Sequence, residues 1–247
     1  MSLMKIEHLN KSFGRLVVTR DLSLDVAKGE RHVIIGPNGA GKTSLINQIG
    51  GQLVPDSGRI LIDGADVTGL APEALFKHGL ARTFQKNTLF PRLSLFENVR
   101  LGVQARYGSP FGLTTRALRR TDVNERAYAT LDRMNLRPLA NRTVSSLSYG
   151  DQRQLEVAVA LAGDPKLLLL DEPTSGLSPA ETRQMIETIK ALPRDIAIVM
   201  IEHDMEVVFS IADCITVLHF GEVLASGPPD RVASDERVRE VYLGAKI

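Results

Sequence analysis

The chain has 247 residues, of which 43% are hydrophobic and 24% charged, with a net charge of +1 and one cysteine. This composition is typical of a soluble globular protein with a sizeable core, and its near-neutral charge does not favour a nucleic-acid partner. A single cysteine excludes an intramolecular disulfide, and Cys214 in "ADCITVL" is expected to be a small buried core residue. No stretch approaches the ~20 apolar residues of a transmembrane helix, and no signal peptide is recognised, so any membrane role is expected to be peripheral.

The first predicted elements are short strands over residues 4–30, with period-2 alternation in "LSLDV". The apolar strand "RHVII" then ends at a glycine-rich loop, and a helix is expected from Lys42 to Ile49. A hairpin follows in "GRILIDGADVT", where Asp63-Gly64 is a tight-turn signal. Helical patterns predominate between about 71 and 162, notably in "NERAYATLDRMNL" and "YGDQRQLEVAVALAG". Strands and helices then alternate, which predicts a parallel sheet with covered faces, before a hairpin in "CITVLHFGEVLASG" and a charged helix in "DERVREVYLG".

The loop after "RHVII" fits the pattern G-x-x-x-x-G-K-[ST]. Its glycines allow successive N–H groups to point inward as an anion site, and the following helix adds a partial positive charge. Lys42 can reach the β- and γ-phosphates, and the Thr43 hydroxyl can bind Mg²⁺. The alternative is a strand-to-helix turn that binds nothing. We therefore expect a nucleoside triphosphate at Gly36, Pro37, Asn38, Gly39, Ala40, Gly41, Lys42, Thr43 and Ser44.

Two acids end the apolar strand "LLLLDEP". Carboxylates at the end of a buried strand are costly unless a cation or a reaction needs them. We expect Asp171 to hold Mg²⁺, through water, and Glu172 to act as the general base that orients an attacking water. The alternative is a helix N-cap followed by a polar first turn, which Pro173 and Thr174 would suit.

Three weaker signals accompany these motifs. Ser148 and Gly150 stand before an amphipathic helix and could bind an anion, although Ser-x-Gly is usually only a cap. His203 ends the strand "IVMIEH" and could contact a γ-phosphate, although a lone histidine is more often structural. Gln85 ends another predicted strand and could bind Mg²⁺ or orient water.

Taken in order, these motifs resemble the nucleotide-binding subunits of ATP-binding cassette (ABC) transporters over essentially the whole chain. Walker A is "GPNGAGKT", the Q-loop glutamine is Gln85, the signature is "LSYGD", and Walker B is "LLLLDE". The D-loop is "SGLS" and the switch histidine is His203, while Phe13 falls where such cassettes stack an aromatic ring on adenine. The resemblance implies that the chain binds ATP and Mg²⁺, and that Lys42 and His203 stabilise the phosphate charge during phosphoryl transfer.

The implied fold is an α/β P-loop NTPase, with a RecA-like core of mostly parallel strands, an antiparallel β subdomain and an inserted α-helical subdomain. A single domain is expected over 4–247, with the RecA-like and β lobe at about 4–85 and 164–247 and the helical lobe at about 86–163. In this family two cassettes pair head to tail, as a homodimer or with a paralogue. The signature residues Ser148, Tyr149, Gly150 and Asp151 would then contact the partner's ATP. Tyr149, Asp151 and the D-loop's Ser178 depart from the commoner residues, and a signature tyrosine resembles the branched-chain amino acid importers.

The segments "GLARTFQ", "QARYGSPFGLTTRALRR" and "VREVYLG" also look like an ATPase of hydrophobic amino acid importers. That resemblance implies separate permease subunits, an indirect solute-binding protein, and a cytoplasmic position on the inner face of the membrane. Leu89, Phe90 and Phe96 in "NTLFPRLSLFENV" either form the permease docking surface or belong to the helical core. The alternatives are an amide or urea importer, a lipopolysaccharide exporter, or a soluble nucleic-acid-associated cassette.

Overall fold

The computed structural model describes residues 2–83, 89–107 and 121–243. The chain divides into two compact units. The first consists of 1–80, 166–172 and 193–247, and the second of 81–165 and 173–192. In the described residues no helix is both long and apolar enough to cross a membrane.

Most strands and helices lie where the sequence predicts them, but two helices follow the last hairpin where the sequence predicts one. The strands are Ser2–Phe13 (β1), Leu16–Ala27 (β2), Arg31–Ile35 (β3), Ser57–Ile62 (β4), Ala65–Asp66 (β5), Leu80–Arg82 (β6), Leu167–Asp171 (β7), Ala197–Ile201 (β8), Cys214–His219 (β9) and Glu222–Gly227 (β10). The helices are Lys42–Ile49 (α1), Pro72–Lys77 (α2), Leu95–Tyr107 (α3), Thr121–Arg133 (α4), Tyr149–Leu161 (α5), Pro179–Ala191 (α6), Met205–Ile211 (α7), Pro229–Ser234 (α8) and Glu236–Leu243 (α9).

A four-stranded antiparallel sheet opens the first unit, in the order β2-β1-β4-β5. The sequence predicts short strands here, but β1 and β2 each run for twelve residues. Their register shifts four times, between Ser2 and Met4 and at three later points up to Ser12. Such bulges bend a strand without ending its pairing, so the pattern of short segments and the long strands are compatible.

The second sheet has the order β10-β9-β3-β8-β7-β6. Strands β9, β3, β8 and β7 are mutually parallel, as the alternation of strands and helices predicts, and β10 is antiparallel to β9. Ile201 of β8 is paired with both Ile34 of β3 and Asp171 of β7. This register brings the carboxyl ends of three strands to one edge of the sheet.

The core of the first unit lies around α1. Leu45, Ile46 and Ile49 of that helix are fully buried among apolar residues of both sheets. Strands β3, β7 and β8 are buried along their whole length, as expected for a parallel sheet covered on both faces. The apolar packing therefore holds β3 and α1 rigidly on either side of the loop that joins them.

The second unit contains three packed helices, α3, α4 and α5. Phe96 of α3 is buried and stacks on Tyr128 of α4, with 4.4 Å between ring centroids. Phe90 differs, because its side chain is 56% exposed. Phe96 is therefore core of the helical unit, whereas Phe90 remains free to contact another molecule.

Candidate nucleotide site

The loop between β3 and α1 begins at Gly36 and ends at Gly41, the residue before the helix. Gly36, Gly39 and Gly41 have φ values of 156°, 79° and 102°. These values lie in the region that side-chain-bearing residues rarely adopt. The loop thus has the backbone path that the glycine spacing predicts.

Close packing also excludes side chains at two of these positions. A Cβ atom on Gly36 would lie 2.3 Å from the carbonyl oxygen of Leu218, and one on Gly41 would lie 2.3 Å from that of Val18. At Gly39, by contrast, an added Cβ atom would have no atom within 4 Å, and the residue is exposed. The backbone is therefore held on the protein side and left accessible on the other, as an anion cradle requires.

Lys42 supplies the cation of the loop. Its Nζ donates hydrogen bonds to the carbonyl oxygens of Gly36 (2.6 Å) and Pro37 (3.0 Å). Burial lowers the pKa of Lys42 below its ordinary 10.5, and the nearby Glu172 carboxylate opposes that shift. The ammonium group is thus partly desolvated and held over the loop, where the phosphates of a triphosphate would bind. Thr43 is exposed and Ser44 half-buried at the start of α1.

The acids and the histidine lie at the same sheet edge as this loop. Asp171 is the buried last residue of β7, and Glu172 follows it. His203 follows β8, with its Nδ1 3.7 Å from Oε1 of Glu172. Since β3, β7 and β8 are adjacent and in register, the structure brings Lys42, Asp171, Glu172 and His203 to one edge, where open α/β sheets bind ligands.

Glu172 has an unusual backbone conformation, with a φ of 47°. Its N–H donates to the carbonyl oxygen of Ile201 (3.0 Å), which continues the pairing with β8 past the end of β7. No helix begins at this point, because α6 starts only at Pro179, so the N-cap alternative for these acids is wrong. A side-chain-bearing residue in the left-handed region is a strained position of the kind found at functional sites.

The signature residues lie in the second unit, at the start of α5. Ser148 is the N-cap, and its Oγ accepts a hydrogen bond from the Asp151 N–H (3.1 Å) and donates to Oδ2 of Asp151 (2.8 Å). The N–H of Gly150 donates to Oε1 of Glu181 (3.2 Å). The N-cap that the sequence suggests is therefore present. One of the backbone N–H groups at the start of this helix, that of Gly150, is already hydrogen-bonded to the Glu181 carboxylate.

Glu181 is a residue that the sequence reasoning missed. Its other oxygen, Oε2, accepts from the N–H and the Oγ of Ser178, the N-cap of α6. The pattern S-x-x-E of a capping box would have identified this pair, and it also explains the unusual D-loop residue, because serine caps a helix as well as aspartate does. Glu181 thus connects the D-loop to the signature.

Tyr149 makes a second connection between these two segments. Its half-exposed ring lies against Gly176, and its hydroxyl donates to the Ser175 carbonyl oxygen (3.4 Å) and accepts from Nε of Arg153 (3.0 Å). Arg153 in turn forms a buried ion pair with Glu156 (2.8 Å). The aromatic signature residue is therefore a structural contact of the D-loop in this chain.

Three other predicted residues have different outcomes. Gln85 lies outside the described residues. Phe13 ends β1 with its ring exposed and Nζ of Lys11 5.6 Å from the ring centroid, so the surface for stacking on a base is accessible. Cys214 was expected in the core, but it is half-exposed and lies beside His32, because the first residue of β9 is at the end of the sheet.

A glycine loop between a buried parallel strand and a helix, with a lysine over the loop and acids at the neighbouring strand end, defines a P-loop NTPase. The sequence model of the family described as "ABC transporter" matches residues 19–175. The chain belongs to this family and is an ATPase. A second model, described as "Branched-chain amino acid ATP-binding cassette transporter", matches residues 222–246.

Curated relatives match over nearly the full chain. The chain is 36% identical to the high-affinity branched-chain amino acid transport ATP-binding protein BraF of Pseudomonas aeruginosa, over 98% of each chain. It is 37% identical to LivG of Escherichia coli K12, which has the same description, again over 98% of each. It is also 35% identical to the lipopolysaccharide export ATP-binding protein LptB of Acidithiobacillus ferridurans, over 98% of this chain and 97% of that protein.

Solved structures confirm the predicted fold. The ADP conformation of an ATP-binding cassette of an ABC transporter superposes with a TM-score of 0.87 at 30% identity, covering 99% of each chain. A dimeric ATP-binding cassette in a post-hydrolysis state, bound to ADP and Pi, superposes with a TM-score of 0.75 at 25% identity, covering 91% of this chain and 98% of that one.

Proposed function

We propose that this ATPase powers the import of branched-chain or other hydrophobic amino acids through separate permease subunits. It would act at the inner face of the cell membrane, and a solute-binding protein would be an indirect partner through the permease. The observation that carries the proposal is the match of residues 222–246 to the branched-chain transporter model, together with the near-full-length relatives BraF and LivG. LptB is nearly as similar, so the experiment has to separate import from lipopolysaccharide export.

In the proposed catalytic site, the residues of the first unit bind and orient the triphosphate. The backbone N–H groups of the loop and Nζ of Lys42 hold the phosphates, and Phe13 stacks on the base. Glu172 orients the attacking water and accepts its proton, while His203, 3.7 Å away from that carboxylate, contacts the γ-phosphate. The donor set fits Mg²⁺, because the Thr43 hydroxyl, the Asp171 carboxylate and Gln85 are all oxygen ligands. When bound, Mg²⁺ would neutralise phosphate charge.

The signature is proposed to complete the site of a second cassette. Ser148, Gly150 and their neighbours would contact the γ-phosphate bound by the partner, which is either another copy of this chain or a paralogue. The Gly150 N–H now bonded to Glu181 would turn to that phosphate when the dimer closes. A dimer held together by ATP would then open after hydrolysis.

Phe90 is proposed as the centre of the permease docking surface. Its backbone is fixed by the buried Asn98, whose Oδ1 accepts from the Phe90 N–H (2.8 Å) and whose Nδ2 donates to the Phe90 carbonyl oxygen (3.2 Å). These two hydrogen bonds fix the backbone that carries the exposed ring and leave the surface of the ring uncovered. A large apolar side chain presented on a rigid backbone is a favourable anchor for a protein partner.

The test is uptake of labelled leucine, isoleucine and valine by cells in which the gene is deleted. Wild-type chain should restore uptake, and Glu172→Gln should not. Phe90→Asp should also fail to restore uptake while its purified ATPase activity persists, and Phe209→Asp, at an exposed phenylalanine of α7, serves as the matched control. If deletion of the gene left uptake unchanged and caused lipopolysaccharide to accumulate at the inner membrane, the protein would be an export ATPase and not an import ATPase.

A further inference from the structure

Glu30, His32, Cys214, Thr216 and Ser226 form a polar cluster at the end of the sheet away from the phosphate loop. His32 and Cys214 are directly paired residues of the parallel strands β3 and β9. The path along β3 from His32 to Gly36 is four residues, or about 13 Å. The cluster is therefore separate from the nucleotide site and unused in the proposed mechanism.

The imidazole of His32 is the centre of this cluster. Its side chain is fully buried, with Nδ1 2.6 Å from Oε1 of Glu30 and Nε2 2.8 Å from the Thr216 hydroxyl. The Thr216 hydroxyl shares a hydrogen bond with the Ser226 hydroxyl (2.8 Å), and Sγ of Cys214 lies 3.9 Å from Ser226 Oγ. The imidazole thus has a partner at each ring nitrogen, and the Cys214 thiol lies within 4.8 Å of the other two ligand groups.

Hydrogen bonding changes the pKa values of two members of the cluster in opposite directions. The hydrogen bond with His32 lowers the pKa of the Cys214 thiol below its ordinary 9.0, against the opposing effect of burial. Burial by itself would lower the pKa of His32, but its hydrogen bonds to Cys214 and Glu30 outweigh burial and raise it. The imidazole and the thiol bind a metal ion only in their deprotonated forms, so a bound cation would displace their protons.

The distances agree with a compact ion site. Ligand atoms of Glu30, His32 and Cys214 all lie within 4.8 Å of one another. A tetrahedral Zn²⁺ with bonds of about 2.0–2.3 Å needs its ligands roughly 3.5 Å apart. The Glu30–His32 contact of 2.6 Å must open by about 1 Å to admit an ion, which requires a shift of the Glu30 carboxylate, whose other oxygen accepts from the Ala27 N–H.

We propose that Glu30, His32 and Cys214 form a binding site for a zinc-like divalent cation. One thiolate, one imidazole and one carboxylate are the donor set of Zn²⁺ and its borderline-soft neighbours, whereas Mg²⁺ and Ca²⁺ prefer oxygen alone. Ser226 is exposed at this end of the sheet, so the cluster lies next to solvent. Thr216 holds the imidazole from its far side, as outer ligands of metal-bound histidines commonly do.

The test uses Co²⁺ as a spectroscopic probe on the reduced, chelator-treated full chain, with excess Mg²⁺ to occupy all-oxygen sites. Because Cys214 is the one cysteine in the chain, a thiolate-to-cobalt charge-transfer band can arise only from it. The expected result is a band that saturates at one Co²⁺ per chain and disappears when Zn²⁺ is added. Cys214→Ser should abolish the band, and Glu30→Gln and His32→Gln should weaken Co²⁺ binding by at least ~10-fold.

His219→Gln, at the other end of β9, is the matched control and should keep the band. A second readout needs no variant, so misfolding of a substituted chain cannot obscure the answer. Zn²⁺, but not Mg²⁺, should slow alkylation of the Cys214 thiol in the wild-type chain by at least tenfold. Absence of the band, alkylation unaffected by Zn²⁺, or unchanged Co²⁺ affinity in a folded His32→Gln chain would each overturn the proposal and leave Cys214 a metal-free thiol.

Discussion

Substitution of Glu172 by glutamine and by glycine tests two properties of this residue separately. Glutamine keeps the size of the side chain but removes the carboxylate that is expected to orient and deprotonate water. Glycine removes the carboxylate as well, but it also accepts the φ of 47° without a Cβ clash. Both variants should therefore lose turnover, and they should differ in stability.

The magnitudes follow from these two roles. Loss of a general base costs about 10²–10⁴-fold in rate, or roughly 3–5 kcal/mol of activation free energy. A residue with a side chain in the left-handed region destabilises the folded state by about 1–2 kcal/mol. A glycine at the same position lowers the free energy of unfolding by about 0.5–1 kcal/mol, because it gives the unfolded chain more conformational freedom. The Gly variant should therefore be more stable than wild type by somewhat under 1 kcal/mol, which is about 2–3 °C in Tm for a chain of this size.

The assay combines phosphate release at saturating Mg-ATP, thermal unfolding and gel filtration with ATP. Glu172→Gln should bind ATP, turn over at least ~100-fold more slowly and elute as a stable dimer. Glu73→Gln, at an exposed acid of α2, should behave as wild type. Turnover within about threefold of wild type would remove Glu172 from the chemistry, whereas a Tm of Glu172→Gly below that of wild type would refute the strain argument alone.

Three further outcomes are expected. Phe90→Asp should keep its Tm and ATP affinity because the ring is exposed, and should lose permease-stimulated ATPase activity; unfolding instead would return Phe90 to the core. Burial lowers the pKa of Lys42 in the free protein, and bound phosphate would raise that pKa again because it favours the charged ammonium group. ATP affinity should therefore weaken by up to ~10-fold per pH unit as pH approaches 10.5. The substitution Lys42→Arg should remove this pH dependence. Glu181→Gln removes a negative charge that competes with phosphate for the Gly150 N–H. ATP-driven dimerisation should therefore tighten by about fivefold, or ~1 kcal/mol, as measured by analytical ultracentrifugation. A weaker dimer would contradict this competition.

Much of the fold and site was predictable because local chemistry decides it. The phosphate loop needs glycines at fixed spacing after a strand, so its sequence predicts both the turn and the helix Lys42–Ile49, and the structure has that helix with the same bounds. The order of strands and helices after residue 164 predicts the parallel sheet, because βαβ connections leave few alternatives. The turn at Asp63-Gly64 also follows from its residues, which have φ values of 50° and 80°.

Other features depend on which segments meet in space. Glu181 is thirty-one residues from Gly150, and no local pattern connects a capping box in α6 with the start of α5. Cys214 lies in an apolar run, which predicts a core residue. The register of β9 against β3 instead places Cys214 at a strand end beside His32. Phe90 and Phe96 have the same side chain in one apolar segment, and only helix packing makes one exposed and the other buried.

The sequence by itself determined the family, the phosphate loop and the succession of strands and helices, because each depends on residues that are close along the chain. Tertiary structure decided the strained backbone of Glu172, the carboxylate at the signature and the Glu30–His32–Cys214 cluster. Each of these depends on strand register or helix packing, which brings together groups far apart in sequence and sets their burial. The physical reason is that hydrogen-bond partners and desolvation are properties of neighbours in space, whereas turn and helix preferences are properties of neighbours in sequence.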